Sequence, residues 1–234
     1  MQHDIKGENY YYSEQQKGID RRTKDLVIGR CFEFLRGPSV LDLGFVDDCW
    51  TAPSLARGWQ VDIVEGSKRH VDAALDYYHG NANVTIHHAM FEQFCPNREY
   101  SSVIAGDVLR YIKEPVPFLK RVRDWLLPGG RLIVTVPNSY SLHRRIGTLL
   151  GMEAHPGDAN SRDIEVGNLR NYDRYLLRSE LRSAGYNIIE LRGCFLKPLS
   201  SKQMNDWSDE LLSAFLEIGD ELEDYAWFLY AVCE

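Results

Sequence analysis

Short apolar runs alternate with amphipathic stretches along most of the chain. The first clear period is helical: Val27, Cys31, Phe34 and Leu35 share one face of a segment from Arg21 to Arg36, and Gly37-Pro38 ends it. Val40-Leu-Asp-Leu43 follows as a buried-strand pattern, then a helix through Leu55 and Ala56. Val61-Asp-Ile-Val64 predicts the second strand, Val71, Ala74, Leu75 and Tyr78 the next helix face, and Val84-Thr-Ile86 the third strand. Ser102-Val-Ile-Ala105 and Leu132 to Val136 predict the fourth and fifth. Between them a helix opens at Glu114-Pro115, carries Phe118, Val122 and Trp125 on one face, and turns at Pro128-Gly-Gly130 into the strand.

Past Val136 this rhythm breaks. Residues 138–170 are a polar insert with a short helix over Leu142 to Leu150. Asp173 has the character of an N-cap for a helix ending at Gly185, and Tyr186 to Leu191 predicts the sixth strand. A helix from Asp209 to Gly219 leads to a last strand, Ala226 to Val232, expected to lie antiparallel at the sheet edge. Strands alternating with helices make this an α/β chain with a mostly parallel sheet and helices on both faces. The expected organisation is a single domain over residues 1–234. Residues 1–36 supply an N-terminal arm and helix that can act as a lid, and 138–172 an insert on the substrate side.

Composition narrows the function classes. With 234 residues, 44% hydrophobic and 26% charged, the chain has the make-up of a globular domain. A net charge of −7 argues against binding that relies on neutralising phosphates, so nucleic acid is not an expected partner. The five cysteines, at 31, 49, 95, 194 and 233, form no Cys-x-x-Cys and no Cys/His ligand spacing; no metal is expected, and a reducing compartment is. His87-His88 lacks a third ligand at metal spacing and reads as a strand-end pair. No apolar run has membrane-spanning length, and Met1-Gln-His-Asp-Ile-Lys6 carries no apolar signal core, so a cytoplasmic protein without membrane contact is expected.

The candidate chemistry sits where the strands end. In an open parallel sheet, ligands bind beyond the carboxyl ends of the strands, where strand order reverses. The first strand ends Asp42-Leu-Gly44-Phe-Val-Asp47-Asp48, with a glycine that lets backbone approach a ligand. The second ends in Glu65, about twenty residues on, where a carboxylate can accept both ribose hydroxyls. Together they point to an adenosine-containing cofactor.

Over residues 38–193 the sequence resembles the class I S-adenosylmethionine-dependent methyltransferases, most closely the small-molecule branch related to ubiquinone-biosynthesis methyltransferases. Val40-Leu-Asp-Leu-Gly44 matches the first motif and Val64-Glu-Gly-Ser67 the acidic end of the second strand. The more specific part is Asp107-Val-Leu109, then Leu127-Pro-Gly-Gly-Arg-Leu-Ile133 and Val136-Pro-Asn138. The resemblance implies a Rossmann-like sheet of seven strands, mostly parallel with the last antiparallel, and S-adenosylmethionine as cofactor. It implies cofactor contacts from Asp42, Gly44, Asp47, Glu65, Gly66, Ser67, Ala89, Met90, Phe91, Gly106 and Asp107. Two departures stand out. The second and third glycines of the first turn appear as Val46 and Asp48, and Arg110-Tyr111 replaces a customary Glu-His. Asp48 is expected near the cofactor's methionine moiety, whose ammonium would welcome its charge and whose carboxylate would oppose it, with the carboxylate side the expected neighbour.

A methyl acceptor that is a neutral hydroxyl or an ammonium needs a base, and an anionic one needs a cationic clamp. Candidate catalytic residues are His143, Asp107 and Tyr111; candidate substrate contacts are Tyr12, Asn138, Arg144, Arg145, Tyr172 and Lys197. Each has a structural alternative. Asp107 serves equally as a turn carboxylate and Tyr111 as a packed aromatic. His143 and the two arginines serve as solvated helix polar groups, and Tyr172 and Lys197 as capping or edge residues. The tyrosines Tyr10, Tyr11 and Tyr12 suit a lid that is apolar inside and wet outside. The expected activity is methyl transfer to oxygen, with nitrogen second, of a small polar metabolite such as a sugar, a carboxylate or a biosynthetic intermediate. The alternatives are a macromolecule-modifying methyltransferase and a silent relative that keeps the fold as a binding protein. Homodimerisation is compatible with the sequence.

Overall fold

The chain, described here by a computed structural model over residues 18–45 and 47–234, is built on one sheet with the strand order β3-β2-β1-β4-β5-β7-β6. Tyr12 with the rest of the tyrosine-rich arm, and Val46 in the first turn, lie outside the described residues. In chain order the elements are α1 (Ile19–Phe32), β1 (Ser39–Leu43), α2 (Thr51–Ala56), β2 (Gln60–Glu65), α3 (Lys68–Tyr77), β3 (Val84–His88) and β4 (Tyr100–Gly106). Then come α4 (Pro115–Arg123), β5 (Leu126–Pro137), α5 (Leu142–Leu149), α6 (Ser161–Glu165), α7 (Arg174–Ser183), β6 (Ile188–Cys194), α8 (Asp209–Glu221) and β7 (Phe228–Cys233).

Alternation along the strands divides the core between the two faces. Leu41, Val103 and Leu132 pack on one side with Phe118 and Leu119 of α4 and Leu177 and Leu181 of α7. Val40, Ile104 and Ile133 pack on the other with Val27 and Ile28 of α1 and Leu212 of α8. Both faces are covered, which is why apolar residues occupy both alternating sets of positions along these strands. The result is the Rossmann-like, mostly parallel arrangement expected.

The last strand differs from expectation in one respect. It is antiparallel to its neighbours, but it lies between β5 and β6 and leaves β6 at the edge. The side chains explain the order: Leu229 to Cys233 are all buried, as an interior strand requires, whereas Arg192 on β6 has a half-exposed side chain. Smaller shifts concern ends. α1 starts at Ile19 and stops at Phe32, because Phe34 and Leu35 donate to the carbonyls of Cys31 and Phe32 in a tighter turn. β6 begins after Tyr186, whose ring is buried and whose hydroxyl donates to the Leu119 carbonyl at 3.1 Å. Asp173 caps α7, accepting the Leu176 N–H at 2.7 Å. Among the described residues no helix is long and apolar enough to cross a membrane.

Candidate active site

Strand order reverses between β1 and β4, and a cleft of about 950 Å³ opens beyond the carboxyl ends of the strands there. β1 runs into Gly44, whose φ of +96° is a left-handed conformation suited to glycine, and whose N–H donates to the Val64 carbonyl at 2.8 Å. This turn delivers the Phe45 N–H to Glu65 Oε2 at 2.8 Å, while the Ser67 N–H donates to Oε1 at 2.6 Å. Two backbone donors therefore hold the Glu65 carboxylate at the end of β2, on the cleft wall. Each oxygen keeps acceptor capacity for a ligand hydroxyl. Ser67 caps α3 by accepting the His70 N–H, and the His70 Nδ1 stands 3.7 Å from Glu65 Oε2.

Below this turn Asp42 is buried and accepts a hydrogen bond from Thr51 Oγ1 at 3.0 Å. Burial pushes its pKa up to about 7, against the pull of the Thr51 hydroxyl and with help from the Asp47 charge. Asp47 goes the other way. Burial acts to raise it, but the Lys24 ammonium at 2.7 Å and the Cys49 N–H at 3.1 Å hold its carboxyl below the usual range. Asp48 turns away from the cleft wall, where it accepts Arg21 Nη2 at 3.0 Å and the Tyr77 hydroxyl at 2.8 Å. The glycine-poor turn is thus tethered by two cations of α1.

At the end of β4, Asp107 has φ +61°, uncommon for a residue with a side chain, and its N–H donates to the Thr135 carbonyl at 2.8 Å. Its carboxylate faces Arg110 Nε at 3.2 Å, and Arg110 Nη2 donates to the Tyr111 hydroxyl at 2.6 Å. Gly106 makes room for the Trp50 indole, since a Cβ there would come within 2.7 Å of Nε1.

The cleft gathers many of the residues expected from sequence. Asp42, Gly44, Asp47, Glu65, Gly66 and Ser67 line it from β1 and β2. Met90, Phe91, Gly106, Asp107 and Tyr111 line it from the loops after β3 and β4. Ala89 stands beside these, donating its N–H to the Glu65 carbonyl, but is not on the wall. The residues after β5 lie elsewhere. Asn138 is buried and donates to the Ala226 carbonyl at 2.9 Å; Tyr172 is buried with its hydroxyl on Glu180 at 2.6 Å. Arg144 Nε donates to the Pro156 carbonyl at 2.7 Å, and Arg145 Nε to that of Tyr140 at 2.8 Å. His143, on α5 and off the cleft wall, has Nδ1 3.2 Å from Ser141 Oγ. Lys197 is buried, donating to the Ser201 hydroxyl at 2.7 Å, and is not on the wall. Among the described residues no group of three potential metal ligands occurs.

Several wall residues escaped the sequence reading. Asp20, Lys24 and Ile28 share a face of α1, His70 belongs to α3, and Trp50 and Trp227 come from loops. The α1 positions had a readable signal, because charged residues recur there in phase with the apolar Ile28. The tryptophans had none, since only the tertiary fold aims them at the cleft.

The profile of the methyltransferase-domain family matches residues 13–191. No curated protein matches the sequence. Among solved structures, a complex of the Haloferax volcanii Trm112 methyltransferase activator with a methyltransferase gives a TM-score of 0.65 at 15% identity, covering 96% of this chain and 95% of that one. An S-adenosylmethionine-dependent methyltransferase from Mesorhizobium loti gives 0.63 at 13% identity, over 88% and 95% of the two chains. The N-methyltransferase NodS from Bradyrhizobium japonicum, in complex with S-adenosyl-L-homocysteine, gives 0.61 at 12% identity, over 97% and 94%.

Proposed function

Since this chain belongs to the family of methyltransferase domains, we propose that it moves the methyl group of S-adenosylmethionine onto an oxygen or nitrogen of a small molecule bound beside Asp107. The observation that carries the reading is the Glu65 carboxylate, fixed by the Phe45 and Ser67 amides on the wall of the cleft. A carboxylate held in this way suits a pair of ribose hydroxyls. The donor set fits the cofactor in other respects. Met90 and Phe91 offer apolar surface to an adenine, and Lys24 offers a cation to a carboxylate. Nitrogen stands beside oxygen as a target because NodS, a structural relative, is an N-methyltransferase.

S-adenosylmethionine supplies a methyl group already activated for displacement, so alignment is the protein's main task. Glu65 and the Gly44 turn fix the nucleoside end. Lys24, tied to Asp47, sets the charge at the β1 end. Asp107, which lines the cleft at the end of β4, serves as the carboxylate that takes a proton from the acceptor.

Ligand-linked stability tests the reading. S-adenosylhomocysteine at one hundred times its Kd should add about 2.7 kcal/mol to unfolding, seen as a Tm rise of several degrees. No rise at any concentration contradicts the assignment.

The tethering of Asp48 yields a second expectation. Charge alone predicts that Asp48→Gly tightens cofactor binding. The Arg21 and Tyr77 partners instead neutralise this side chain off the wall, so affinity should change by less than about threefold. Stability should fall by about 0.5–1 kcal/mol, the scale of a half-exposed ion pair. A large tightening in calorimetry would show that Asp48 reaches the ligand.

A further inference from the structure

We infer that the methyl acceptor is an amine with an apolar body, taken up as its ammonium beside the carboxylates of Asp20 and Asp107, with that body against the apolar part of the wall. This rests on the proposed methyltransferase reading and adds the class of acceptor. An anionic acceptor needs a cationic cleft, and here, among the described residues, three wall bases, Lys24, Lys113 and Arg121, stand against seven wall carboxyl groups, with Arg121 already donating to the Glu92 and Phe94 carbonyls. Arg144 holds the Pro156 carbonyl, while Arg145 holds the Tyr140 carbonyl with its guanidinium 4.5 Å from the Tyr225 ring centroid. Neither lines the cleft. Lys24 does, but it is paired with Asp47 at 2.7 Å at the β1 end, where it serves the cofactor's carboxylate rather than the acceptor.

At Asp20 and Asp107 the charge is layered, with each acid on the wall and its counterion off it. Asp20 lines the cleft; its counterion Lys197, 3.7 Å from Oδ1, does not. Asp107 lines the cleft; its counterion Arg110, 3.2 Å from Oδ1, does not. Coulomb energy falls with distance, so a ligand in the cleft meets the near carboxylates more strongly than the cations behind them. A cation gains from this order and an anion loses. Apolar wall beside these acids comes from Val166 and Leu169 of the insert and from Trp227 and Phe228 at the start of β7. Leu169 is 57% exposed although its backbone is tied to the Arg110 carbonyl, an apolar surface that an apolar ligand body would cover.

The layering also fits the chemistry. An ammonium has no lone pair with which to attack. Asp107 accepts its proton, the freed nitrogen pair forms the bond to the methyl carbon, and the carbon–sulfur pair returns to sulfur.

The test compares tryptamine with indole-3-propionate, probes of similar shape and opposite charge, by saturation-transfer NMR on the whole protein with and without S-adenosylhomocysteine. Tryptamine should receive roughly tenfold more saturation than the acid, and Asp20→Asn with Asp107→Asn should remove most of that preference. Equal transfer to the two probes, stronger transfer to the acid, or transfer to neither overturns the amine assignment. Signals from S-adenosylhomocysteine are read in the same sample. Their absence counts against the cofactor reading, while their presence beside silent tryptamine counts against the amine alone. Asp20→Asn and Asp107→Asn proteins that still bind S-adenosylhomocysteine are folded at the cleft, which guards the comparison.

Discussion

Asp42→Asn should make the protein more stable at pH 8 by about 2–4 kcal/mol while leaving it near the parent at pH 4. Asp42 is buried at the end of β1, and its carboxyl titrates near 7 against an ordinary 3.8. Between those values the native state holds a proton that the unfolded chain has released. Unfolding free energy therefore falls as pH rises through that window, at about 1.4 kcal/mol per pH unit at most. Above pH 7 the parent carries the full cost of a buried carboxylate. Asparagine removes the ionisation and keeps an oxygen for the Thr51 hydroxyl. Denaturant titrations of both proteins from pH 4 to pH 8 isolate this residue, because other carboxylates cancel in the difference. Parallel stability curves would show that Asp42 does not titrate in that range.

The pH-sensitive carboxylate belongs to the part of the molecule that the sequence makes most readable. β1, β2, β4 and β5 are covered on both faces, so they appear as predominantly apolar runs, interrupted by buried Asp42 and Asp62, whose carboxyl ends mark the cleft. Gly44, Glu65 and Asp107 could be placed because each directly follows or ends such a run. Pairing order is less accessible. The apolar run from Leu229 to Cys233 suits an interior strand, yet nothing local says that it inserts between β5 and β6. Side-chain partners far apart in sequence were least accessible. Asp48 meets Arg21 across 27 positions, and Lys197 meets Asp20 across the length from α1 to the loop after β6. Such pairs decide whether a charge serves the cleft or the scaffold. For Arg144, Arg145 and Lys197 the fold assigns the charge to the scaffold, which periodicity and composition do not encode.

Glu65 carries the central claim, and its removal should have the largest effect on cofactor binding. Its two oxygens are the acceptors held ready on the wall by Phe45 and Ser67. A hydrogen bond to an ionised group contributes about 1.5–3 kcal/mol, and with water replacing part of the pair the net loss in Glu65→Ala should be of that size, weakening S-adenosylmethionine by roughly 10- to 150-fold. The same change leaves two buried N–H groups without their acceptor and lowers stability. Glu65→Gln, which keeps one acceptor oxygen, provides the folded comparison with an intermediate loss. Isothermal titration calorimetry of the parent and both variants with S-adenosylmethionine measures this directly. Binding of one cofactor per parent chain, weakened in Glu65→Gln and more so in Glu65→Ala, is the expected result. Absence of binding to the parent, or unchanged affinity in folded Glu65 variants, would contradict the account.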